Sequence, residues 1–324
     1  PPLFGADSYD SDFDPVQTRL RPTLANPSSV NVFNPVYGQT RTPGAFVNSL
    51  EKQNATGVYF QDQIDLTERW KALVGVRYDK FDQDITNRAT NVTTPQSDSA
   101  TSPRFGLVFE PSDSLSLYAS FSKGFRPNGG FDARGTSFQP EFSKSYEIGT
   151  KLATADERIS ATIAVYKAEK SNVLTSDPIN AGFSIAAGEA ESRGVEVDVT
   201  GQLTEDLTFN FAYAYTDAEV SKSVLDVNFG LNLPAGARLI NIPKNAANLL
   251  LIQGFDLGSS RVTAGIGATY VSDRLGETGV PSFVLPSYTL VNLTASYAPS
   301  DSFKVTVDVD NALDKTYYPS SYAR

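Results

Sequence analysis

Long stretches of the chain alternate apolar and polar residues with a period of two, and few folds accommodate that pattern at such length. Leu207, Phe209, Phe211, Tyr213 and Tyr215 alternate with Thr208, Asn210, Ala212, Ala214 and Thr216. Val195, Val197 and Val199 alternate with Glu196, Asp198 and Thr200, and Val305, Val307 and Val309 with Lys304, Thr306, Asp308 and Asp310. Val262, Ala264, Ile266, Ala268 and Tyr270 do the same against Arg261, Thr263, Gly265, Gly267 and Thr269. Successive side chains of a strand point to opposite faces, so each stretch has one apolar face and one polar or small face. About twelve such segments can be read, each of roughly ten residues or more, longer than the strands of soluble sheets.

The connections between these segments alternate in length. Short ones fall at 67–69, 110–114, 154–157, 203–206, 256–260 and 299–301; long ones rich in Gly, Pro, Asn and Ser fall at 83–102, 126–141, 171–189, 221–243 and 273–286. Tight turns on one side and extended loops on the other are the asymmetry of outer-membrane barrels. In hydrocarbon every backbone N–H and C=O has to be paired within the protein, so strands span only as a closed sheet. The pattern therefore predicts an all-β fold: a transmembrane antiparallel up-and-down β-barrel with lipid on the apolar face and a wet or plugged lumen on the other. A propeller blade would hold four short strands in each interval where two long ones occur here. A two-sheet sandwich leaves the alternation of connection lengths unexplained.

Composition removes other classes. Hydrophobic residues make up 40% of the chain, and no run approaches the length of a spanning helix; the patch 248–252 is among the longest. A net charge of −10 argues against nucleic acid as a partner. The absence of Cys and His removes disulfides, thiolate sites, the commonest general base and the commonest transition-metal ligand. There is no Met and no signal peptide, so the chain reads as a fragment.

Several stretches resemble the TonB-dependent outer-membrane receptors, in their siderophore-receptor branch. Val307-Asp308-Val309-Asp310-Asn311-Ala312-Leu313-Asp314-Lys315-Thr316-Tyr317-Tyr318 is similar to the family's penultimate-strand signature. Ser102-Pro103-Arg104-Phe105-Gly106, followed by 117–127, resembles a well-marked hairpin of the family; 144–151, 191–196 and 242–245 match further motifs in family order. The stretch 31–38 resembles an extracellular-loop motif of hydroxamate-type siderophore receptors. The resemblance implies a barrel of about twenty-two strands, of which about twelve are present. The plug domain, the early strands and the last strand would be missing, with 3–7 as the tail of an earlier strand. It also implies import of ferric siderophores across the outer membrane, with TonB acting through the missing N-terminal region. The alternatives are a passive porin-like channel, or a receptor of the same family for cobalamin, haem or an oligosaccharide.

No catalytic constellation is present: there is no Gly-x-Ser-x-Gly elbow and no phosphate loop, and the pairs Glu196/Asp198 and Asp308/Asp310 read as lumen residues. The run Asp7, Asp10, Asp12 and Asp14 lacks the ligand spacing of a calcium loop. No cofactor is expected, since iron would arrive already chelated. A ferric siderophore is bulky and partly apolar, so aromatic rings and a cation in the long loops are the candidates for contact: Phe33, Tyr37, Phe131, Arg134, Phe138, Phe183 and Phe283. Tyr78, Tyr215 and Tyr270, near strand ends, are expected in the aromatic girdle at the bilayer interface.

Overall fold

The computed structural model describes residues 2–19, 34–35, 44–180, 183–225, 232–300 and 302–321. The strands in chain order are β1 (Leu3–Phe13), β2 (Val16–Arg19), β3 (Gly44–Asp65), β4 (Trp70–Asn87), β5 (Val92–Ser112) and β6 (Leu115–Arg126). Next come β7 (Glu141–Ala153), β8 (Ile159–Ser176), β9 (Ser184–Gln202), β10 (Leu207–Val220), β11 (Val224–Leu225) and β12 (Asn232–Leu233). The last are β13 (Asn245–Leu257), β14 (Ser260–Val271), β15 (Arg274–Leu275), β16 (Val284–Leu285), β17 (Tyr288–Ser300) and β18 (Phe303–Val309). One 14-stranded antiparallel sheet follows the chain order from β1 to β18, with β2 beside β3; β11–β12 and β15–β16 are separate small hairpins. The described residues contain no helix.

Fourteen strands replace the dozen read from alternation because β1 and β2 carry too few apolar residues to show it. Backbone pairing holds them in place: β1 is in register with β3 from Leu3↔Gln61 to Phe13↔Glu51. The segment 3–7, expected as the tail of a strand, is thus the first part of a full one.

The apolar faces merge into one belt. Across the register, Tyr215 opposes Val195, Val195 opposes Val165, Val165 opposes Ile148, Ile148 opposes Ala119, Ala119 opposes Leu107, and Leu107 opposes Ala72. This row starts at the long-loop end of β10 and finishes near the short turn before β4. The belt therefore crosses the hydrogen-bond rows obliquely, as it must when strands tilt and stagger in a barrel wall. Ile148 is 69% and Val165 57% exposed, and no large side chain is fully buried among the described residues. The sheet has no second layer to hide this surface; lipid covers it. Tyr78, Tyr215 and Tyr270 all face outward at the long-loop end of the belt, where Lys80, Asp217 and Ser272 follow them. At the short-turn end Trp70 stacks on Phe109, with ring centroids 4.5 Å apart.

Two expected loops are largely strand. β4 and β5 remain paired as far as Asn87↔Val92, leaving only 88–91 as a turn where 83–102 was expected to be irregular. β8 and β9 remain paired to Ser176↔Ser184, with register shifts near Val173, inside the expected loop 171–189. Beyond the membrane the outward positions are polar (Lys80, Asp82 and Asp84 on β4), so the alternation disappears while the backbone ladder continues.

A charge on the lipid face should be far more costly than one on the lumen face. In the full-length receptor refolded into phosphatidylcholine vesicles, Ile148→Lys is expected to lower the urea-unfolding free energy by about 2–4 kcal/mol. Ser120→Lys, facing the lumen on β6, is expected to change it by less than about 1 kcal/mol.

Candidate functional site

The lumen wall explains several of the motif residues. Tyr118 on β6 lies across β7, where its hydroxyl donates to the Glu147 carboxylate at 2.7 Å. A Cβ at Gly149 would stand 2.5 Å from the Tyr118 ring, so the residue under the ring has to be glycine. At Gly194 on β9 a Cβ would meet the Tyr215 carbonyl oxygen first, with the Tyr166 ring next at 2.9 Å. Glu147 and Gly149 of the 144–151 motif, and Gly194 of 191–196, are thus parts of tyrosine-over-glycine joints between neighbouring strands. Elsewhere on this wall Arg77 is held by Asp7 and Asp79, each at 2.7 Å, and Lys71 pairs with Glu110 at 2.8 Å.

The acidic run near the start does not converge. Asp7 points into the lumen toward Arg77, Asp10 accepts from Asn54 at 2.5 Å, and Asp14 pairs with Arg88 at 2.5 Å. The described residues contain no group of carboxylates arranged to hold a metal ion.

The long-loop rim carries two groups of connections. The first joins β6 to β7 through 127–140 and β8 to β9 through 177–183. Asn128, 4% exposed, fastens it: its amide donates to the carbonyls of Gln139 at 2.9 Å and Asn172 at 2.8 Å, and its own carbonyl accepts from Gln96 at 2.8 Å. Asn172 in turn donates to the Pro140 carbonyl at 2.9 Å. At the tip the Asp132 carboxylate accepts from the backbone N–H groups of Arg134 and Thr136, both at 2.9 Å. Those bonds hold the Asp132 carboxyl below the ordinary carboxylate range, chiefly through Thr136. Asp177, in the neighbouring connection, is lowered first by the Asn180 side chain, then by backbone N–H groups, and further by the charge of Arg134.

The second group joins β10 to β13 through 221–244, β14 to β17 through 272–287, and the segment 310–321 that follows β18. Arg274, 2% exposed, donates to the carbonyls of Tyr318 at 2.7 Å and Pro319 at 2.8 Å and sits 5.1 Å from the centre of the Tyr288 ring. Tyr288 packs against Tyr317, with centroids 4.9 Å apart. Asn241 bonds Ser321 in both directions through its amide, at 2.9 Å each. These contacts tie the described parts of the three connections of this group to one another.

The candidate ligand residues divide between the two groups. Phe131 and Arg134 stand at the tip of the first, with the Arg134 side chain 90% exposed, and Phe183 closes 177–183, the connection whose Asp177 feels the charge of Arg134. Phe138 is 7% exposed and packs beneath Gly130, where it holds its own loop. Phe283 belongs to the second group, half-exposed, with its ring over Gly276. Phe33 and Tyr37 lie outside the described residues. Sequence reasoning missed Asn128, Asn241 and Arg274; as single polar residues in irregular segments they carry no local signal, and only the tertiary contacts reveal their work.

A model of the family described as TonB dependent receptor-like, beta-barrel, matches residues 3–312. The chain is 38% identical over 305 residues to the metal-pseudopaline receptor CntO of Pseudomonas aeruginosa, covering 92% of this chain and 42% of that protein. It is 34% identical over 281 residues to the ferrichrome outer membrane transporter/phage receptor of Escherichia coli, covering 84% of this chain and 36% of that protein. The chain thus spans less than half the length of these relatives. Among solved structures, the siderophore receptor PiuA from Acinetobacter baumannii superposes with a TM-score of 0.81 at 23% identity, over 99% of this chain and 50% of that one, a likeness of fold.

Two outcomes follow from this geometry. Gly149→Val is expected to destabilise the full-length receptor by about 1–3 kcal/mol through the clash with Tyr118, and Tyr118→Ala in the same chain should recover part of that loss in a double-mutant cycle read by urea unfolding. The second concerns pH. Folded-state pKa values depressed at Asp132 and Asp177 contribute stability present above the ordinary carboxylate value and lost as pH falls through the lowered one. Hydrogen exchange in 127–140 should stay slow across the neutral and weakly acidic range, quicken only below the ordinary carboxylate range, and be fast at neutral pH in Asp132→Ala.

Proposed function

Because the chain belongs to the TonB-dependent receptor family through its β-barrel, we propose that it is the wall and mouth of an active transporter that imports ferric siderophores with energy supplied through TonB. It resides in the Gram-negative outer membrane, as its family does. The relatives it matches are receptors and transporters rather than enzymes. The observation that carries the import reading is the 34% identity, over 84% of the chain, to a ferrichrome outer membrane transporter, a share that takes in long connections as well as strands.

The chain's own residues support the part assigned to them. A chelated metal brings its ligands with it, so the mouth has to recognise an organic shell and a net charge rather than coordinate iron. Phe131, Phe183 and Phe283 offer exposed ring area, and Arg134, 3.8 Å from the Asp132 carboxylate, offers an exposed cation. Phe33, Tyr37 and Phe138 remain in the proposed ligand set, with Phe138 acting from beneath its loop. The coupling to TonB and the plug that TonB pulls belong to parts of the receptor beyond these residues.

A second reading is favoured by the name of the relative at 38% identity: the cargo is a metal–pseudopaline-type complex rather than a ferric siderophore. Growth of a receptor-deleted, iron-starved strain complemented with the full-length receptor separates the two. The proposal expects TonB-dependent growth on at least one of ferrichrome, ferrioxamine B and a ferric catecholate. Rescue by metal-pseudopaline alone would select the second reading, and TonB-independent growth would point to a passive channel. In the active system, Phe131→Ala combined with Arg134→Ala is expected to weaken chelate binding about ten-fold or more.

A further inference from the structure

The stretch 248–252 breaks the alternation of its neighbours. Leu249 and Leu251 face lipid, opposite Phe211 and Phe209, while Leu250 and Ile252 face inward, opposite Asn210 and Thr208. Single large aliphatic residues face inward elsewhere, Leu73 on β4, Val108 on β5 and Leu290 on β17, but here two stand two residues apart on one strand. This ridge lies at the middle of a sector made by β10, β13, β14 and β17. The inward residues around it are Asn210, Ala212, Asn248, Gly267, Thr269 and Asn292.

This sector differs from the rest of the described wall. From the belt up to the mouth none of its inward residues is charged; charge returns only at the short-turn end, where Arg261 is held by Asp206 at 2.9 Å and Asp256 at 2.7 Å. Its short polar side chains bond one another along the wall, Thr263 with Ser296 at 2.6 Å and Thr269 with Asn248 at 2.8 Å. These bonds lay the hydroxyl groups flat along the wall. The sector across β3 to β7 presents Lys71, Arg77, Arg104, Glu110, Glu147 and Lys151 instead. A cavity of about 700 Å³ lies against this sector, with Asp198 of β9 and Asp308 and Asp310 at the end of β18 on its flanks, a size that suits a drug-sized organic ligand. The second group of rim connections, with Phe283, stands directly at the long-loop ends of its strands.

We propose that the β10–β17 sector is the face along which the chelate moves from mouth to periplasm; this rests on the import reading. Passage requires contacts favourable enough to admit the cargo and weak enough to release it. A fixed charge would trap a charged chelate, and a long side chain would block it. Small residues bonded flat to the wall do neither, and the Leu250–Ile252 ridge matches the apolar shell of the cargo.

The segment has no Cys, so in a full-length receptor with any Cys elsewhere replaced by Ser a single introduced thiol can be addressed cleanly. At Gly267 the nearest atoms to a new Cβ are 3.8 Å away, so the wall accepts a side chain there. Gly267→Cys and Asn292→Cys would be compared with Ser120→Cys and Ser145→Cys on the charged sector. All would be made in the full-length receptor, before and after reaction with a bulky maleimide, using radio-iron ferrichrome and ferrioxamine B. Modification at Gly267 or Asn292 is expected to cut uptake about ten-fold or more while surface binding stays within about two-fold; at Ser120 and Ser145 uptake should change by less than about two-fold. Equal losses in both sectors, or unchanged uptake at both Gly267 and Asn292, would overturn the assignment. So would loss of surface binding at those positions, which would mark the sector as the seat of a lumen-filling segment. If the unaltered receptor imports neither chelate, the ferric-siderophore reading fails for them and the path falls with it; an active receptor indifferent to the wall thiols removes the path alone.

Discussion

A backbone N–H or C=O left unpaired in hydrocarbon costs several kcal/mol, and no water is present to relieve it. That penalty dictates most of what this chain does. Within the large sheet each strand from β3 to β17 has a hydrogen-bonded neighbour on both sides, and the order of the sheet is the order of the chain. Once the backbone is satisfied within the sheet, side chains are free to divide between two solvents. Outward residues meet lipid and become apolar, whereas inward residues meet water or protein and become polar or small. A soluble protein of this length would need a buried core. Here the bilayer takes that role, which is why Ile148 and Val165 are large, apolar and exposed.

The inner face has its own logic. Neighbouring strands are locked across the lumen side by tyrosines lying over glycines, Tyr118 on Gly149 and Tyr166 on Gly194, and by ion pairs such as Arg77 with Asp7 and Asp79. Such pairs sit in a partly hydrated wall, where each is worth little alone and a network is worth more. The joints are concentrated on one part of the wall, and a smooth uncharged part begins at β10. Above both, the rim connections are stiffened by single buried polar residues. Asn128 ties one group to the strands beneath it, and Arg274 ties the other to the segment after β18. Recognition at the mouth thus stands on pinned loops, a condition for placing rings such as Phe131 and Phe283 reproducibly against a ligand.

Much of this was legible in the sequence because lipid imposes a periodic demand. Where a strand crosses the bilayer, as β10 does, both its alternation and its end at the 203–206 turn could be read directly. Where strands leave the bilayer the demand lapses. The upper parts of β4 and β5 carry Asp, Ser and Thr at outward positions, and those of β8 and β9 lose their regular alternation where the register shifts near Val173, so all four read as loops although their backbone ladder continues. β1 was half-read for the same reason, its carboxylates hiding a strand that pairs along its whole length. The mouth was legible only as composition. Aromatic residues in long connections were found, yet nothing in the sequence separates Phe138, packed under Gly130, from Phe131, which is exposed seven residues away. Arg274 looked like any loop cation, and its burial depends on partners more than forty residues distant.

The claim beneath all of this is that alternate side chains of each long strand contact lipid and the others do not. The segment has no Cys, so single nitroxide labels along 207–215 of β10, in the full-length receptor in lipid vesicles with any Cys elsewhere replaced by Ser, test it directly. Oxygen, which concentrates in the bilayer, should relax labels at Leu207, Phe209, Phe211, Tyr213 and Tyr215 strongly. A water-soluble nickel chelate should reach Thr208, Asn210, Ala212 and Ala214 better than their neighbours. Accessibility without a period of two, or equal access of the nickel chelate to both sets, would contradict the account.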